Sequence, residues 1–231
     1  MLSLSYILRV VKGLFLVTAC PVCGKITDMG GLCKNCLKIL DNARMTDGLT
    51  VMDGVKGKSI FSYEYEQVKS AVKYMKKVPD ADVFGYFAAF AAGKVRTFGI
   101  SGDTVITFVP RSKEGFRENG FDQSEYLAKR MAKILGFAKV KRLTKRIGKS
   151  KAQKTLSGKD RASNVKGKFC AVNRKISPEN IVIVDDVLTT GASMKECISV
   201  LREKYPCSRI CFVTLAKNPG NLKMMIPERK Y

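Results

Sequence analysis

The sequence predicts an α/β fold, a parallel sheet with helices on both faces, preceded by a small cysteine-bearing module. Three observations predict it. Residues 99–216 alternate between strand-like and helix-like patterns, which is the signature of a parallel sheet covered by crossover helices. Ile181-Val182-Ile183-Val184 is a run of four β-branched residues, as a strand buried on both faces requires. Four cysteines are crowded into residues 20–36, apart from that alternation. A length of 231 residues, 45% of them apolar, suits one domain of ordinary size plus such a module. The boundary is expected near residue 48, with 1–48 as the module and 49–231 as the main domain.

Residues 1–19 are apolar but interrupted by Arg9 and Lys12. Those charges cut the run below the length of a signal-peptide core, although Val17-Thr18-Ala19-Cys20 resembles a lipoprotein cleavage box. The expectation is an amphipathic helix. Residues 49–65 read as a hairpin, with turn signals at Asp53-Gly54 and Lys56-Gly57. Helix patterns cover 65–77 and 81–98. In the second, Phe84, Phe87, Ala88, Ala91 and Val95 form a wide apolar face that belongs in the core. Strand 104–109 follows, then helix 123–135, which stops at Gly136. Residues 139–154 have little apolar periodicity and read as a mobile loop. Strand 180–184, helix 193–204 and strand 209–215 complete the sheet, and the last fifteen residues show no firm pattern. No stretch reaches the roughly 18 apolar residues of a membrane span.

The cysteines Cys20, Cys23, Cys33 and Cys36 form two CxxC pairs, Cys20-Pro-Val-Cys23-Gly24 and Cys33-Lys-Asn-Cys36. Two residues between thiols let one tight turn offer both to one ion, and two such knuckles complete a tetrahedral four-cysteine site. Four thiolates leave no open position, so zinc here is structural. Cys170, Cys197, Cys207 and Cys211 lie in apolar contexts and read as small core residues of a protein in a reducing compartment.

After the β-branched run come two carboxylates, Asp185 and Asp186, and then Thr189-Thr190-Gly191-Ala192-Ser193 leading into a helix. Backbone amides at a helix start, hydroxyl donors beside them and a glycine that admits close approach make an anion cup. The two acids, one step away, are suited to ribose hydroxyls or to the water shell of Mg²⁺. A phosphate at one end and a diol at the other describe a sugar phosphate.

Charge and composition narrow the alternatives. Forty-two Lys and Arg against twenty Asp and Glu give a net charge of +22, which draws the chain to polyanions. The cations cluster: Lys139, Lys141, Arg142, Lys145, Arg146, Lys149, Lys151 and Lys154 fall within sixteen residues containing no acid, and Gln153, Arg161 and Asn164 are close by. A solvated basic surface and a nucleic-acid strand site both fit such a run. With no histidine in the chain, Ser-His-Asp and Cys-His catalysis and His-ligated metals are excluded. Gly148-Lys149-Ser150 imitates the tail of a nucleotide-binding P-loop, but Leu143 stands where that motif needs glycine.

The run 181–193 resembles the phosphoribosyl pyrophosphate (PRPP) signature of type I phosphoribosyltransferases. The whole order resembles the ComF family of competence-associated proteins, which join a cysteine zinc module to a domain of that type. The family's Gly-Phe motif appears as Arg117-Glu118-Asn119-Gly120-Phe121-Asp122-Gln123-Ser124. A second motif appears as Arg146, Gln153, Leu156-Ser157, Arg161 and Asn164-Val165, and the acid motif as Val184 to Gly191. Ser112 replaces a His usual in the family, Asn119 an Arg and Asp122 an Asn.

The resemblance implies PRPP binding with Mg²⁺. Thr189, Thr190, Gly191, Ala192 and Ser193 would face the 5′-phosphate, and Asp185 and Asp186 the ribose diol or hydrated metal. Arg111 and Ser112 would face the pyrophosphate, under a loop carrying Lys145, Arg146, Lys149, Lys151, Gln153, Lys154 and Arg161. It further implies a cytoplasmic role in DNA uptake during transformation, with single-stranded DNA and a helicase-like competence protein as partners. An active transferase passing ribose 5-phosphate to a base or amine, and a non-catalytic zinc adaptor, are the alternatives.

Overall fold

The computed structural model describes residues 18–27, 31–46, 48–147, 167–173 and 175–218. Residues 1–17, for which an amphipathic helix is expected, lie outside them, as does the C-terminal stretch from 219. The described chain starts with a two-stranded antiparallel ribbon, β1 (Thr18–Ala19) and β2 (Ile26–Thr27), closed by Cys20 N–H donating to Lys25 O at 2.7 Å. Helix α1 (Lys34–Asn42) comes after it, with Cys33 as its N-cap. Its Leu40, together with Ala43, belongs to the same apolar cluster as one face of the main sheet, so the module shares a core with the main domain.

The predicted hairpin is β3 (Leu49–Met52) and β4 (Val55–Ser62), antiparallel across a turn at Asp53 (φ 48°) and Gly54 (φ 76°). Both turn residues have positive φ, as a tight two-residue hairpin turn demands. Lys56-Gly57 is not a turn. Gly57 lies inside β4, opposite Phe212, and a Cβ there would stand 2.1 Å from that ring. The glycine is there for the close approach of an aromatic ring, not for chain reversal.

Helices α2 (Glu66–Met75) and α3 (Ala81–Arg96) come next. Phe84, Phe87, Ala88, Ala91 and Val95 are fully buried, as the pattern predicts. Strand β5 (Thr104–Phe108) leads to the short α4 (Lys113–Asn119) and then to α5 (Gln123–Leu135). The ends of α5 match expectation because both caps are chemical: Asp122 accepts the Ser124 and Glu125 amides, and Gly136 ends the helix at φ 80°.

Residues 139–147 of the basic stretch, which reads as a loop in the sequence, are described and include strand. The stretch contains β6 (Ala138–Val140) and β7 (Thr144–Arg146), the latter paired antiparallel with β8 (Phe169–Ala171). These strands of three residues are too short to show a period in the sequence. Strand β9 (Asn180–Leu188) then leads through α6 (Ala192–Lys204) to β10 (Arg209–Lys217).

The six-stranded sheet has the order β3-β4-β10-β9-β5-β6, parallel except for the β3 edge. Strand residues alternate between two cores. Val182 and Val184 join α2, α3 and α5 on one face, while Ile181 and Ile183 join α6 and β8 on the other. Strand β9 extends four residues beyond the expected end because β10 pairs with it through Leu188, so both acids lie within the strand. Cys197 and Cys211 are core residues as expected, but Cys170 is half-buried and Cys207 exposed in the turn after α6. No helix among the described residues is long and apolar enough to cross a membrane.

Candidate functional site

Strands β5 and β9 are neighbours, but their connections leave in opposite directions: β5 leads to β6 at one edge, β9 to β10 on the other side. In open α/β sheets that divergence leaves a crevice beyond the carboxyl ends of the two strands. The loops at this crevice carry Pro110-Arg111-Ser112 and the segment Asp185 to Ser193.

The two acids are held by strand amides and by three side chains from other elements. Asp185 Oδ1 accepts the Asp186 N–H (2.9 Å) and the Ser124 hydroxyl (3.2 Å). Asp186 Oδ1 accepts the Val187 N–H at 2.6 Å, and its Oδ2 accepts from Gln123 Nε2 (3.1 Å) and pairs with Lys76 Nζ (3.2 Å). Burial, followed by the neighbouring Asp186 carboxylate, pushes Asp185 well above the ordinary carboxylate range; the Asp186 amide, Lys76 and Ser124 pull the other way. Burial works against the charge on Lys76, but Asp186 outweighs it and leaves the ammonium held more firmly than usual.

Lys76 has no motif around it, so sequence reasoning misses it; the adjacent Lys73 and Lys77 disguise it. Gln123 and Ser124 are visible as part of the Gly-Phe motif, though nothing local shows that they reach the acids. Asp122, where the family has an Asn, is the buried N-cap of α5 and also accepts the Arg111 N–H at 2.8 Å. Burial raises its pKa, and the three amides it accepts oppose that rise.

The hydroxyl turn runs into α6 through Gly191, whose φ of 74° is in the left-handed region. Helices α1, α3, α4 and α5 all start with a side chain accepting a first-turn amide; the N-caps of α2 and α6 accept none, and of these two α6 alone has no acid in its first turn, α2 having Glu66. Thr190 Oγ1 accepts the Ala192 N–H at 3.4 Å from just outside the helix. Thr189 is exposed and Thr190, Ala192 and Ser193 are half-exposed, while Gly191 between them is buried, so the turn's hydroxyls lie at the surface.

Arg111 donates through Nη1 to Lys76 O at 2.9 Å, tying the β5 loop to the end of α2. The Ser112 hydroxyl caps α4 by accepting the Gly115 N–H at 3.1 Å. A cleft of about 580 Å³ is lined by Arg111, Ser112, Arg117, Arg142, Lys145 and Arg146, among others. The structure thus gathers Arg111 and Ser112 with the first two cations of the predicted loop. Lys149, Lys151, Gln153, Lys154 and Arg161 lie outside the described residues.

The four N-terminal cysteines present sulfurs within 4.8 Å of one another. A tetrahedral ion with bonds of about 2.3 Å places its sulfurs about 3.8 Å apart, so the donor set can close on one metal. Cys23 and Cys33 are already 3.6 Å apart. Burial works to raise the Cys20 thiol, but the amides of Cys33, Val22 and Cys23 outweigh it and bring it to about 7. Burial and the neighbouring thiols push Cys36 upward. Four thiols drawn so close together are suited to a shared metal.

Similar sequences and solved structures are found among known proteins. The phosphoribosyl transferase domain family matches residues 122–226. Competence protein ComFC of Bacillus subtilis is 24% identical over 200 residues, covering 86% of this chain and 78% of that protein. Competence protein F of Haemophilus influenzae is 33% identical over 86 residues, covering 36% of this chain and 38% of its own length. DNA utilization protein YhgH of Salmonella typhimurium is 31% identical over 106 residues, 46% of each chain. This chain therefore spans less than half the length of the latter two. Among solved structures, adenine phosphoribosyltransferase of Saccharomyces cerevisiae is 13% identical with a TM-score of 0.41, covering 82% of this chain and 92% of that one. With the acid-bearing strand, the hydroxyl turn and the cysteine cluster in place, the chain is similar to the ComF competence proteins, and its residues 122–226 match the phosphoribosyl transferase domain family.

Proposed function

We propose that the chain binds PRPP, or a closely related ribose phosphate, at the carboxyl ends of β5 and β9. The observation that carries this reading is the open first turn of α6, uncapped by any N-cap side chain and free of acids, one turn away from a carboxylate pair. Thr189, Thr190, Gly191, Ala192 and Ser193 seat the 5′-phosphate, and Asp185 and Asp186 hold the ribose hydroxyls. Arg111 and the cations of the adjoining cleft face the pyrophosphate. Mg²⁺, held through its water by the acids, would neutralise pyrophosphate charge. The cysteine cluster holds one structural zinc.

The biological reading extends the ComF resemblance, which the competence-protein names of the relatives support: a cytoplasmic protein of DNA uptake that handles single strands alongside a helicase-like competence protein. The cations of 139–154 contact the strand's phosphates. Turnover of PRPP with a base or amine is the second reading, favoured by a further cavity beside Lys76.

Calorimetry with PRPP and Mg²⁺ tests the first claim. Wild type binds, and the double variant Asp185→Asn/Asp186→Asn loses at least about tenfold, since each acid supplies charge-assisted contacts. Equal binding by the two proteins rejects the site. For nucleic acid, replacing Lys145, Arg146, Lys149 and Lys151 should flatten the slope of log affinity against log salt by about 2.8, at roughly 0.7 per phosphate contact on a single strand. An unaltered slope rejects the loop assignment.

A further inference from the structure

A second cavity, about 330 Å³, lies on the other side of Lys76 and is lined by Tyr63, Glu66, Lys69, Ser70, Lys73 and Lys76. Positions 66, 69, 70 and 73 share one face of α2, and by itself such a polar stripe is only the solvated side of an amphipathic helix. Two facts separate it from that. Tyr63, half-buried just past β4 with its N–H donating to Lys217 O at 2.9 Å, makes the surface concave. Lys76 is a shared wall: it lines this cavity while its ammonium pairs with Asp186 in the crevice.

The charges in the cavity are unbalanced. Lys69 pairs with Glu66 at 2.6 Å and Lys76 with Asp186 at 3.2 Å. Among the described residues Lys73 has no ion pair, so three ammonium groups face one carboxylate of the cavity's own. Lys73 is exposed, so a neutral ligand leaves its charge to water, whereas an anion gives it a charged partner. The volume is at the lower end for small-molecule sites, too small for a polymer segment with its backbone.

We propose that this cavity is the subsite of a small anionic second ligand, a ring compound bearing a carboxylate. The acid group meets Lys73 and Lys69, the ring lies against Tyr63, and Ser70 offers a hydrogen bond. The proposal rests on the ribose-phosphate reading of the crevice, and Lys76 places the two ligands side by side.

The test uses the full chain saturated with ribose 5-phosphate and Mg²⁺, titrated with benzoate and with benzamide, which share a ring and differ in charge. Benzoate should bind more tightly by up to about fivefold, the upper range for one partly exposed ion pair. Lys73→Gln should abolish that preference and Lys73→Arg should keep it. Equal affinities for the two probes, or a preference that survives Lys73→Gln, overturns the proposal. So does displacement of benzoate by a short oligothymidylate, which would give the cavity to a nucleic-acid strand. Ribose 5-phosphate titrated alone reports separately on the crevice, so its failure counts against the parent reading and is not confused with this one.

Discussion

Replacing Lys76 with Met removes an ammonium and keeps most of the stem's bulk. The Nζ–Oδ2 distance of 3.2 Å corresponds to a gross attraction of about 5 kcal/mol at an effective dielectric of 20. Desolvation and side-chain entropy cancel much of it, and the lysine side chain is 40% exposed, so the net loss should be about 1–2 kcal/mol at neutral pH. In a protein of this size that lowers the melting temperature by about 2–8 °C.

The pH dependence carries the sharper test. Asp185 has a raised pKa in the folded state, so its contribution to stability is complete below the ordinary value of 3.8 and is lost as pH rises through the raised one. Lys76 restrains that rise, and deleting it lifts Asp185 further. The deficit of Lys76→Met should therefore be widest near pH 7–8 and shrink toward pH 4, where a protonated Asp185 no longer needs a nearby cation. Lys76 itself supports stability at every pH below its ordinary 10.5, so its own titration does not enter this window. Urea denaturation of both proteins from pH 4 to 8 measures the difference. A deficit below about 0.3 kcal/mol, or one constant across the range, would refute the argument.

Three further outcomes are expected. Gly57→Ala drives a methyl into the fully buried Phe212 ring and should cost about 2 kcal/mol; combined with Phe212→Leu the loss should be clearly less than additive, and simple additivity in denaturation curves would count against the contact. Gly191→Ala strains a residue at φ 74° by about 1–2 kcal/mol and presses on Met52; ribose 5-phosphate affinity by calorimetry should drop about tenfold, and an unchanged affinity would detach the turn from the ligand. Elemental analysis of freshly reduced protein should find about one zinc per chain for a four-thiolate site, with Cys20→Ser losing it; a metal-free wild type would contradict the assignment.

How far the sequence is readable depends on where each signal is stored. Helix α5 can be bounded because Asp122 and Gly136, at its two ends, cap it directly. The acid-and-hydroxyl turn is readable because strand, carboxylates and helix start are consecutive. Gly57 misleads because its reason, Phe212, is remote in sequence and visible only once β4 and β10 pair. Lys76 escapes for the same kind of reason: a lysine closing a helix looks like solvent-facing charge until the fold brings Asp186 to it. Strand β7 hides in the basic stretch, and its partner β8 beyond it, because three residues cannot display a period.

The pairing of β4 with β10 has a consequence for how the molecule comes into being. Strand β4 is among the first strands of the main sheet to be synthesised and β10 the last of those described, yet they are direct neighbours, locked by the Ser59 and Thr214 hydroxyls at 2.8 Å. Until that final strand leaves the ribosome, the hairpin has an unsatisfied edge and the acid-bearing strand lacks one flank. A nascent chain interrupted before Arg209 would therefore hold every residue of the crevice and still be unable to assemble it.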